Sequence, residues 1–404
     1  MSEAPLYRRV HLGLDLESAL GPKLSVSAVF PQSSAALAGI EIGDRLIELA
    51  GRAVGSAEEL FAIVRALEVG HRVSFAVERG GRRLELEART GAMPLEKLSR
   101  GEVVLAELGT TSGRRRVIRT VPEGDPPFPV VYVLPGADWS SCEFPLDPAA
   151  PLFQLVDGLT RMGFATQRVE RSGVGDSEGP SCRDVGFEAE LEQYEIGLEN
   201  LRRWDGCRRD MVFLLGVSLG GAVAPLIADD AIRGIAVFGA TARSIQRANH
   251  DAAERLWRRS GVVEPELTRR LARLGELERL LYREKLTPER AFAAAPELRL
   301  DLETSYAGDR AFGRTVRFFQ ELDGVDLEGA WRRVLCPVLA LHGVHDWVTT
   351  RDDALAIAAL ARAGCFAELA GVDHEMRDEP GAFSPAVLEA VATFFDELAP
   401  ATAV

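Results

Sequence analysis

The stretch MVFLLGVSLGGAVAPLIA, residues 211–228, decides the fold of this chain. The apolar run MVFLLGV is typical of a strand buried on both faces of a parallel sheet, and LGGAVAPLIA favours a helix. The pattern GVSLG at 216–220 joins them and predicts a sharp strand-to-helix turn, because its two glycines allow the backbone to fold tightly beside the serine. Such a turn lifts the Ser218 hydroxyl above the sheet, where the N-terminus of the helix favours negative charge.

On both sides of this turn, predicted strands alternate with predicted helices. Strands are expected near residues 102, 114, 128, 164, 211, 234, 337 and 365, and the last helix is expected from about Pro385 to Leu398. This alternation predicts an α/β fold with a mostly parallel sheet and helices on both faces. Residues 241–330 interrupt it, because their pattern is helical and rich in Arg and Glu. We therefore predict a helical insertion over the sheet, with no strand in it.

Ser218 is the predicted nucleophile, and it needs a base because a serine hydroxyl is a poor nucleophile until its proton is taken. Four of the six histidines follow Ser218 in the chain. His250 falls in the predicted insertion, and His342 ends a predicted strand. His374, in GVDHEM, follows the last predicted strand in a loop that is free to reach back over the sheet edge. We therefore predict His374 as the base.

The acid that orients this histidine is predicted in the sequence LHGVHDWVTT, which follows the penultimate strand. Asp346 is the candidate there, and its role is to hold the imidazole tautomer and to stabilise the imidazolium. His342, His345 and Asp346 could alternatively form a metal site. Zinc-binding histidines usually stand one helical turn apart, whereas here a strand runs into a turn. No metal and no cofactor are predicted.

Two backbone N–H groups are expected to stabilise the oxyanion that forms during acyl transfer. One belongs to Leu219, directly after the nucleophile. The other comes from the loop GADW at 136–139, which follows the strand PVVYVLPG. We predict Ala137 as this second donor, with Asp138 as the alternative.

This set of residues resembles the α/β-hydrolase superfamily over residues from about 95 to 400. ERSGVGDSEGP at 170–180 is similar to the R-x-G-x-G-x-S-x-G signature of serine-aminopeptidase-like and dipeptidyl-peptidase-like hydrolases. The resemblance implies that 241–330 forms a helical cap over an acyl pocket. Two positions depart from the family pattern: Pro135 replaces the usual histidine before Gly136, and Val217 stands where histidine is common. Neither change removes a backbone donor.

The first ninety residues predict a small β-rich module. Strand patterns occur at 24–30, 71–78 and 84–90, with a Gly-Gly turn before the last of them. The segment SAEELFAIVRAL predicts a helix that begins after Ser56, because Ser is a favourable N-cap and the apolar residues that follow share one helical face.

This module resembles a PDZ domain of the bacterial type. The resemblance rests on LGL at 12–14, on the pattern A-x-x-A-G-φ-x-x-G-D-x-I (φ apolar) from Ala36 to Ile47, and on SAEELFAIVRAL. It implies that Leu12, Gly13 and Leu14 form a loop that binds a peptide C-terminal carboxylate. The ligand would be a partner's C-terminus or the chain's own last residues, Ala-Thr-Ala-Val at 401–404.

Composition excludes several other functions. The chain has 404 residues and a formal charge of −14, from 61 acidic and 47 basic residues, which disfavours nucleic acid as a partner. No apolar run approaches the roughly 20 residues of a membrane span, and the first fifteen residues lack the apolar core of a secretory signal. We therefore expect a cytoplasmic protein. Its five scattered cysteines predict neither a disulfide framework nor a zinc site.

These observations together predict a PDZ-like domain at 1–92, a linker at 93–101 and an α/β-hydrolase domain at 102–400 that contains the cap. The function that they favour is a serine hydrolase that cleaves an ester, thioester or amide bond of a small-molecule or peptidyl substrate. Two alternatives stay open. The same acyl-enzyme could serve acyl transfer or cyclisation, and the catalytic domain could be an inert scaffold for the PDZ-like module.

Overall fold

The computed structural model describes residues 6–17, 24–379 and 381–399. The chain divides into two compact units, Met1–Leu95 and Glu96–Val404, and each is considered by itself. Within the described ranges, no helix combines the length and the apolar character that crossing a membrane requires.

The first unit is the β-rich module that the sequence predicts. Its elements are β1 Val10–His11, β2 Leu14–Leu16, β3 Val26–Val29, α1 Ser34–Ala38, β4 Arg45–Leu49, β5 Arg52–Ala53, α2 Ala57–Arg65, β6 Arg72–Arg79, β7 Arg82–Arg89 and β8 Gly91–Ala92. The strands β5, β4, β6 and β7 form one antiparallel sheet, and β6 and β7 are a hairpin. Ser56 caps α2 as predicted, because its hydroxyl accepts a hydrogen bond from the backbone N–H of Glu59.

A buried carboxylate stabilises this unit. Asp44 is 1% exposed, and both of its oxygens accept hydrogen bonds from Arg79 at 2.7 Å. The hydrogen bonds from Arg79 outweigh the effect of burial and lower the pKa of Asp44. A lowered pKa in the folded state means that the carboxylate contributes stability above the ordinary Asp pKa and that this contribution is lost as the pH falls through the folded value.

We predict that Asp44→Asn lowers the free energy of unfolding of the first unit by about 2 kcal/mol at pH 7, because the charged guanidinium of Arg79 loses its opposite charge and one of its two acceptor oxygens. Hydrogen exchange of the amides in β4 and β6 of the full chain measures this difference. The difference should shrink as the pH falls below about 4, because the unfolded wild-type chain then binds a proton on Asp44 that the folded chain, with its lowered pKa, does not yet bind. An equal difference at pH 3 and pH 7 would contradict the prediction.

The second unit contains a large sheet and the helices that pack on it. Its elements before the insertion are β9 Glu102–Thr110, β10 Gly113–Val121, β11 Phe128–Leu134, α3 Pro151–Arg161, β12 Ala165–Val169, α4 Phe187–Arg203, β13 Cys207–Val217, α5 Gly220–Ile227 and β14 Ile232–Phe238. The insertion contains α6 Ile245–Arg259, α7 Glu266–Glu278, α8 Pro288–Ala294, α9 Arg299–Leu302, β15 Tyr306–Ala307, β16 Arg310–Ala311, β17 Arg314–Thr315, α10 Val316–Asp323 and α11 Leu327–Arg333. The elements after it are β18 Pro337–Gly343, α12 Arg351–Leu360, β19 Ala363–Leu369 and α13 Pro385–Leu398.

Among the described residues, the sheet has eight strands in the order β19-β18-β14-β13-β11-β12-β10-β9. Every neighbouring pair from β19 to β12 is parallel, whereas β10 pairs antiparallel with both β12 and β9. The prediction of a mostly parallel sheet is confirmed. The carboxyl ends of β11, β13, β14, β18 and β19 therefore lie along one edge, and the loops that follow them can meet there.

The central strands β11, β13 and β14 are buried on both faces, which explains their long apolar runs. In β11, Val131 and Val133 pack in a cluster with α3 and α13, and the alternate residues Tyr132 and Leu134 pack in a cluster with α4 and α5. Side chains of a strand alternate between faces, so a strand covered by helices on both sides is mostly apolar at successive positions.

The insertion between β14 and β18, residues 239–336, is mostly helical, and we call it the cap. The prediction that it lacks strands is wrong, because β15, β16 and β17 form a small antiparallel sheet between residues 306 and 315. Each of these strands has two residues, which is too short for a period of two to appear in the sequence.

The segment predicted as a linker, 93–101, belongs in part to the second unit. The Glu96 carboxylate pairs with Arg168 at 2.6 Å, and both side chains are fully buried. Ser99 donates from its hydroxyl to Asp157 at 2.8 Å. The sequence could not indicate these contacts, because their partners lie 72 and 58 residues further along the chain.

Candidate active site

Ser218 lies in a strained turn directly after β13. Its φ angle is +51°, in the left-handed region that side chains other than Gly rarely adopt. A Cβ atom at Gly216 would lie 2.6 Å from the carbonyl oxygen of Gly220, and one at Gly220 would lie 1.9 Å from that of Leu134. The two glycines of GVSLG are therefore required by close backbone contacts, as the sequence predicts for a sharp turn.

Helix α5 begins at Gly220, two residues after Ser218. The N-terminus of this helix carries partial positive charge from its unpaired N–H groups, so negative charge that develops at the serine is favoured. The backbone N–H of Ser218 itself donates to the carbonyl of Phe238 in the neighbouring strand at 2.9 Å, which fixes the turn to the sheet.

The structure brings Ser218, His374 and Asp346 together at the carboxyl edge of the sheet. The Nε2 atom of His374 lies 3.0 Å from the Ser218 Oγ, and its Nδ1 atom lies 2.9 Å from an oxygen of Asp346. Ser218 follows β13, Asp346 follows β18 and His374 follows β19. Three residues that are far apart in sequence therefore form one chain of hydrogen bonds, in the order that the sequence predicted.

Four hydrogen bonds hold Asp346, whose side chain is fully buried. Besides His374, its oxygens accept from the backbone N–H groups of Val348 at 2.7 Å and Thr349 at 3.0 Å, and from the Thr349 hydroxyl at 2.7 Å. Burial raises the pKa of Asp346, but the hydrogen bonds from His374 and Thr349 outweigh it and lower the pKa. Thr349 was not predicted, although an aspartate that opens a turn often accepts hydrogen bonds from the backbone N–H groups that follow it.

The other histidines that follow Ser218 are placed elsewhere. His250 lies in the cap, where its Nδ1 is 2.8 Å from Glu278. His342 is buried with its Nδ1 3.6 Å from Glu368, and His345 is exposed. Among the residues that the structure describes, no group of three or more His, Cys, Asp or Glu side chains is placed to hold a metal ion.

The loop predicted to supply the second oxyanion donor lies next to the serine. A Cβ atom on Gly136 would be 3.6 Å from the Ser218 Cβ, so the loop backbone passes at contact distance. Ala137 and Leu219, the two predicted donors, line the same cavity as Ser218. The alternative residue, Asp138, lines this cavity too, and its carboxylate accepts hydrogen bonds from the backbone N–H and the hydroxyl of Ser140.

This cavity has a volume of about 300 Å³ and lies between the serine and the cap. Most of its walls are apolar. The cap contributes Ile245, Ala248, Phe312, Phe319, Leu322 and Leu327, and the helix after the serine contributes Ala222. A cavity of this size and character favours an apolar group of limited length.

The predicted carboxylate-binding loop of the first unit packs closely against the start of α1. Gly13 has a φ of +76°, and a Cβ atom there would lie 1.9 Å from the Cβ of Ser33. The carbonyl of Leu12 accepts from the N–H of Ala35 at 2.8 Å, and Leu14 begins β2. The last residues, 401–404, which the sequence suggested as a ligand, lie outside the described residues.

Comparisons with known proteins agree with the two folds. The family model of the PDZ domain matches residues 10–90. Esterase EstD of Thermotoga maritima is 24% identical over 237 residues, which are 58% of this chain and 50% of EstD, so the chain spans about half the length of this curated relative.

Among solved structures, Est1E from Butyrivibrio proteoclasticus aligns with a TM-score of 0.50 and 14% identity over 73% of this chain and 98% of Est1E. Est1E with ferulic acid bound aligns with a TM-score of 0.50 and 16% identity over 72% of this chain and 98% of that one. Similarity at this level of identity concerns the fold. The chain therefore consists of an N-terminal PDZ domain followed by a unit with the α/β-hydrolase fold.

Proposed function

We propose that the chain is a serine hydrolase that cleaves carboxylic esters through an acyl-enzyme. The observation that carries this proposal is the hydrogen-bonded chain from Ser218 through His374 to Asp346, at 3.0 and 2.9 Å. A serine, a histidine and a buried carboxylate in this arrangement are the parts that acyl transfer requires. The similarity to an esterase supports the choice of ester among the acyl compounds that such a triad can cleave.

In the proposed mechanism, the Ser218 Oγ attacks the carbonyl carbon of the ester while His374 Nε2 takes the hydroxyl proton. The negative charge moves to the former carbonyl oxygen, where the N–H groups of Ala137 and Leu219 stabilise it. The intermediate then expels the alcohol, which receives the proton from His374. Water repeats the sequence on the acyl-enzyme, so the acid is released and Ser218 regains its proton.

The acyl half of the substrate is proposed to occupy the cavity of about 300 Å³ beside Ser218. Two arginines line this cavity, and both are already paired with carboxylates: Arg243 with Asp353 at 2.7 Å and with Asp251, and Arg314 with Glu190. They therefore offer little attraction to an anionic substrate. The apolar walls favour a short apolar acyl chain or a single ring.

Covalent labelling tests the nucleophile directly. A fluorophosphonate phosphonylates an activated serine: the Oγ–P bond forms as the P–F bond breaks and fluoride leaves. We expect one adduct per chain on the peptide that contains Ser218. The variant Ser218→Ala should take no label. Absence of labelling in the folded wild-type chain, or an adduct on another residue, would contradict the proposed function.

We further propose that the PDZ domain binds a peptide C-terminus in the groove between β2 and α2. The carboxylate would accept hydrogen bonds from backbone N–H groups of the Leu12–Leu14 loop, and the peptide would extend as a strand along β2. This mode requires a free carboxylate, which distinguishes it from general peptide adhesion.

We predict that a labelled peptide ending in Ala-Thr-Ala-Val binds the full chain at least tenfold more tightly as a free acid than as a C-terminal amide. The reason is the loss of charge-assisted hydrogen bonds to the carboxylate, each worth about 1.5–3 kcal/mol. Fluorescence anisotropy measures both affinities. Equal affinity of the two peptides would contradict recognition of the carboxylate, and no binding of either would contradict this C-terminal sequence as a ligand.

A further inference from the structure

A buried arginine binds a backbone carbonyl group of the loop at 136–139, which we call the oxyanion loop. Arg171 follows β12 and is 2% exposed. Its Nη2 donates to the carbonyl oxygen of Gly136 and lies 3.5 Å from that of Pro135. Its Nε donates to Glu190 at 2.8 Å. The guanidinium therefore links the Glu190 carboxylate, in α4, to the loop that passes Ser218.

The carbonyl of Gly136 and the N–H of Ala137 belong to the same peptide group. Because this group is planar and trans, its C=O and N–H point in opposite directions. A cation that holds the carbonyl therefore also fixes the direction of the N–H. It also polarises the peptide, since hydrogen bonds in series strengthen one another, and so makes the N–H a better donor to an oxyanion.

Glu190 extends this contact to the cap. One of its oxygens accepts from Arg171 and the other accepts from Arg314 at the start of β17. All three side chains are at most 2% exposed. Arg314 also donates to the carbonyl of Cys182 at 3.2 Å, and its guanidinium lies 3.7 Å from the centre of the Phe318 ring. Arg314 lines the cavity beside Ser218, so one carboxylate joins the acyl cavity to the oxyanion loop.

We propose that Arg171 is a positioning residue that orients the Ala137 N–H toward the oxyanion, and that Glu190 couples this orientation to the cap through Arg314. The inference rests on the proposed function, because it assumes that an oxyanion forms at Ser218. Arg171 touches neither the substrate nor the reacting atoms; it acts through the peptide group that it holds.

The test compares two buried arginines. In Arg171→Met, Glu190 keeps Arg314 as a cationic partner, so no unpaired carboxylate is left. Arg119→Met is the matched control, because Arg119 is 6% exposed and its guanidinium binds Gln167 at 2.9 Å and Asn200 at 2.6 Å instead of the oxyanion loop. Both variants lose buried hydrogen bonds, and only the first loses the contact with Gly136.

For Arg171→Met we expect kcat for p-nitrophenyl butyrate to fall about 10- to 100-fold with KM within about twofold, since a misplaced oxyanion donor weakens only the transition state. The affinity for a trifluoromethyl ketone, which forms an oxyanion adduct on the serine, should fall by the same factor as kcat/KM. Arg119→Met should keep the wild-type kcat. If Arg171→Met does not fold, Arg171→Lys replaces it, because its ammonium keeps the charge but cannot bind Glu190 and Gly136 as a fork.

A folded Arg171 variant with wild-type kcat and wild-type ketone affinity would overturn the inference, and so would an equal loss of kcat in Arg119→Met. The Ser218→Ala variant distinguishes a failure of this inference from a failure of the proposed function. Loss of activity in Ser218→Ala with full activity in the Arg171 variant overturns the positioning role alone. Full activity in both overturns the proposed function.

Discussion

Replacing Ser218 with alanine is expected to lower the rate of ester hydrolysis by roughly 10⁴-fold or more, to the level that binding and the oxyanion donors alone provide. The substitution removes the Oγ that lies 3.0 Å from His374 Nε2, so no acyl-enzyme can form. Steady-state hydrolysis of p-nitrophenyl butyrate at neutral pH measures the effect.

The control for this experiment is Ser260→Ala at the end of α6. Its hydroxyl donates to the carbonyl of Leu256 at 2.8 Å and is exposed, so its loss should leave the rate unchanged. Alanine at 218 keeps the positive φ of the turn, and we expect a similar melting temperature for both variants. A Ser218→Ala chain that is folded and hydrolyses the ester at the wild-type rate would show that the chemistry occurs elsewhere.

The second large effect is expected from Asp346→Asn, which should lower kcat about 10³- to 10⁴-fold with little change in shape. The amide oxygen of the new side chain can still accept from the N–H groups of Val348 and Thr349. Its NH₂ group then faces His374 and donates to Nδ1. This places the imidazole proton on Nε2, so the histidine cannot accept the proton of Ser218.

The pH dependence gives this prediction a second readout. Hydrogen bonds from His374 and Thr349 lower the pKa of Asp346, so the wild-type carboxylate stays charged through neutral and mildly acidic pH. Its contribution to stability is present above the ordinary Asp pKa and is lost only as the pH falls through the lowered value. The rate deficit of Asp346→Asn should therefore persist from pH 6 to pH 9.

Asp44→Asn is the matched control for Asp346→Asn, since it also neutralises a buried aspartate but lies in the PDZ domain. It should lower stability and leave kcat unchanged. If Asp346→Asn retains more than about a tenth of the wild-type kcat at pH 7, the orienting role that we assign to Asp346 is wrong.

The parts of the fold and site that the sequence predicted are those with a local signal. The apolar run before GVSLG predicted a central strand, and its glycines predicted the turn that the contacts of Gly216 and Gly220 explain. The choice of His374 and Asp346 followed from their places after the last two strands, because loops at the carboxyl edge of a parallel sheet converge.

The parts that the sequence did not predict depend on distant partners. The pair of Glu190 and Arg314 is separated by 124 residues, and neither residue stands out in a chain with 108 charged side chains, 61 acidic and 47 basic. The cap strands were missed because two residues carry no periodicity. The buried pair of Glu96 and Arg168 was missed for the same reason, because Glu96 lies in a segment whose composition resembles a linker and its partner is 72 residues away.

The cap enters the chain between β14 and β18, whereas Ser218, Asp346 and His374 all lie outside it. The stretch of chain that shapes the acyl cavity is therefore separate from the stretches that move protons. Substitutions over most of residues 239–336 can therefore change the substrate preference while Ser218, Asp346 and His374 stay in place. Arg314 is the position in the cap that constrains such substitutions, because its partner Glu190 lies outside the cap in α4 and would lose one of its two buried hydrogen-bond donors.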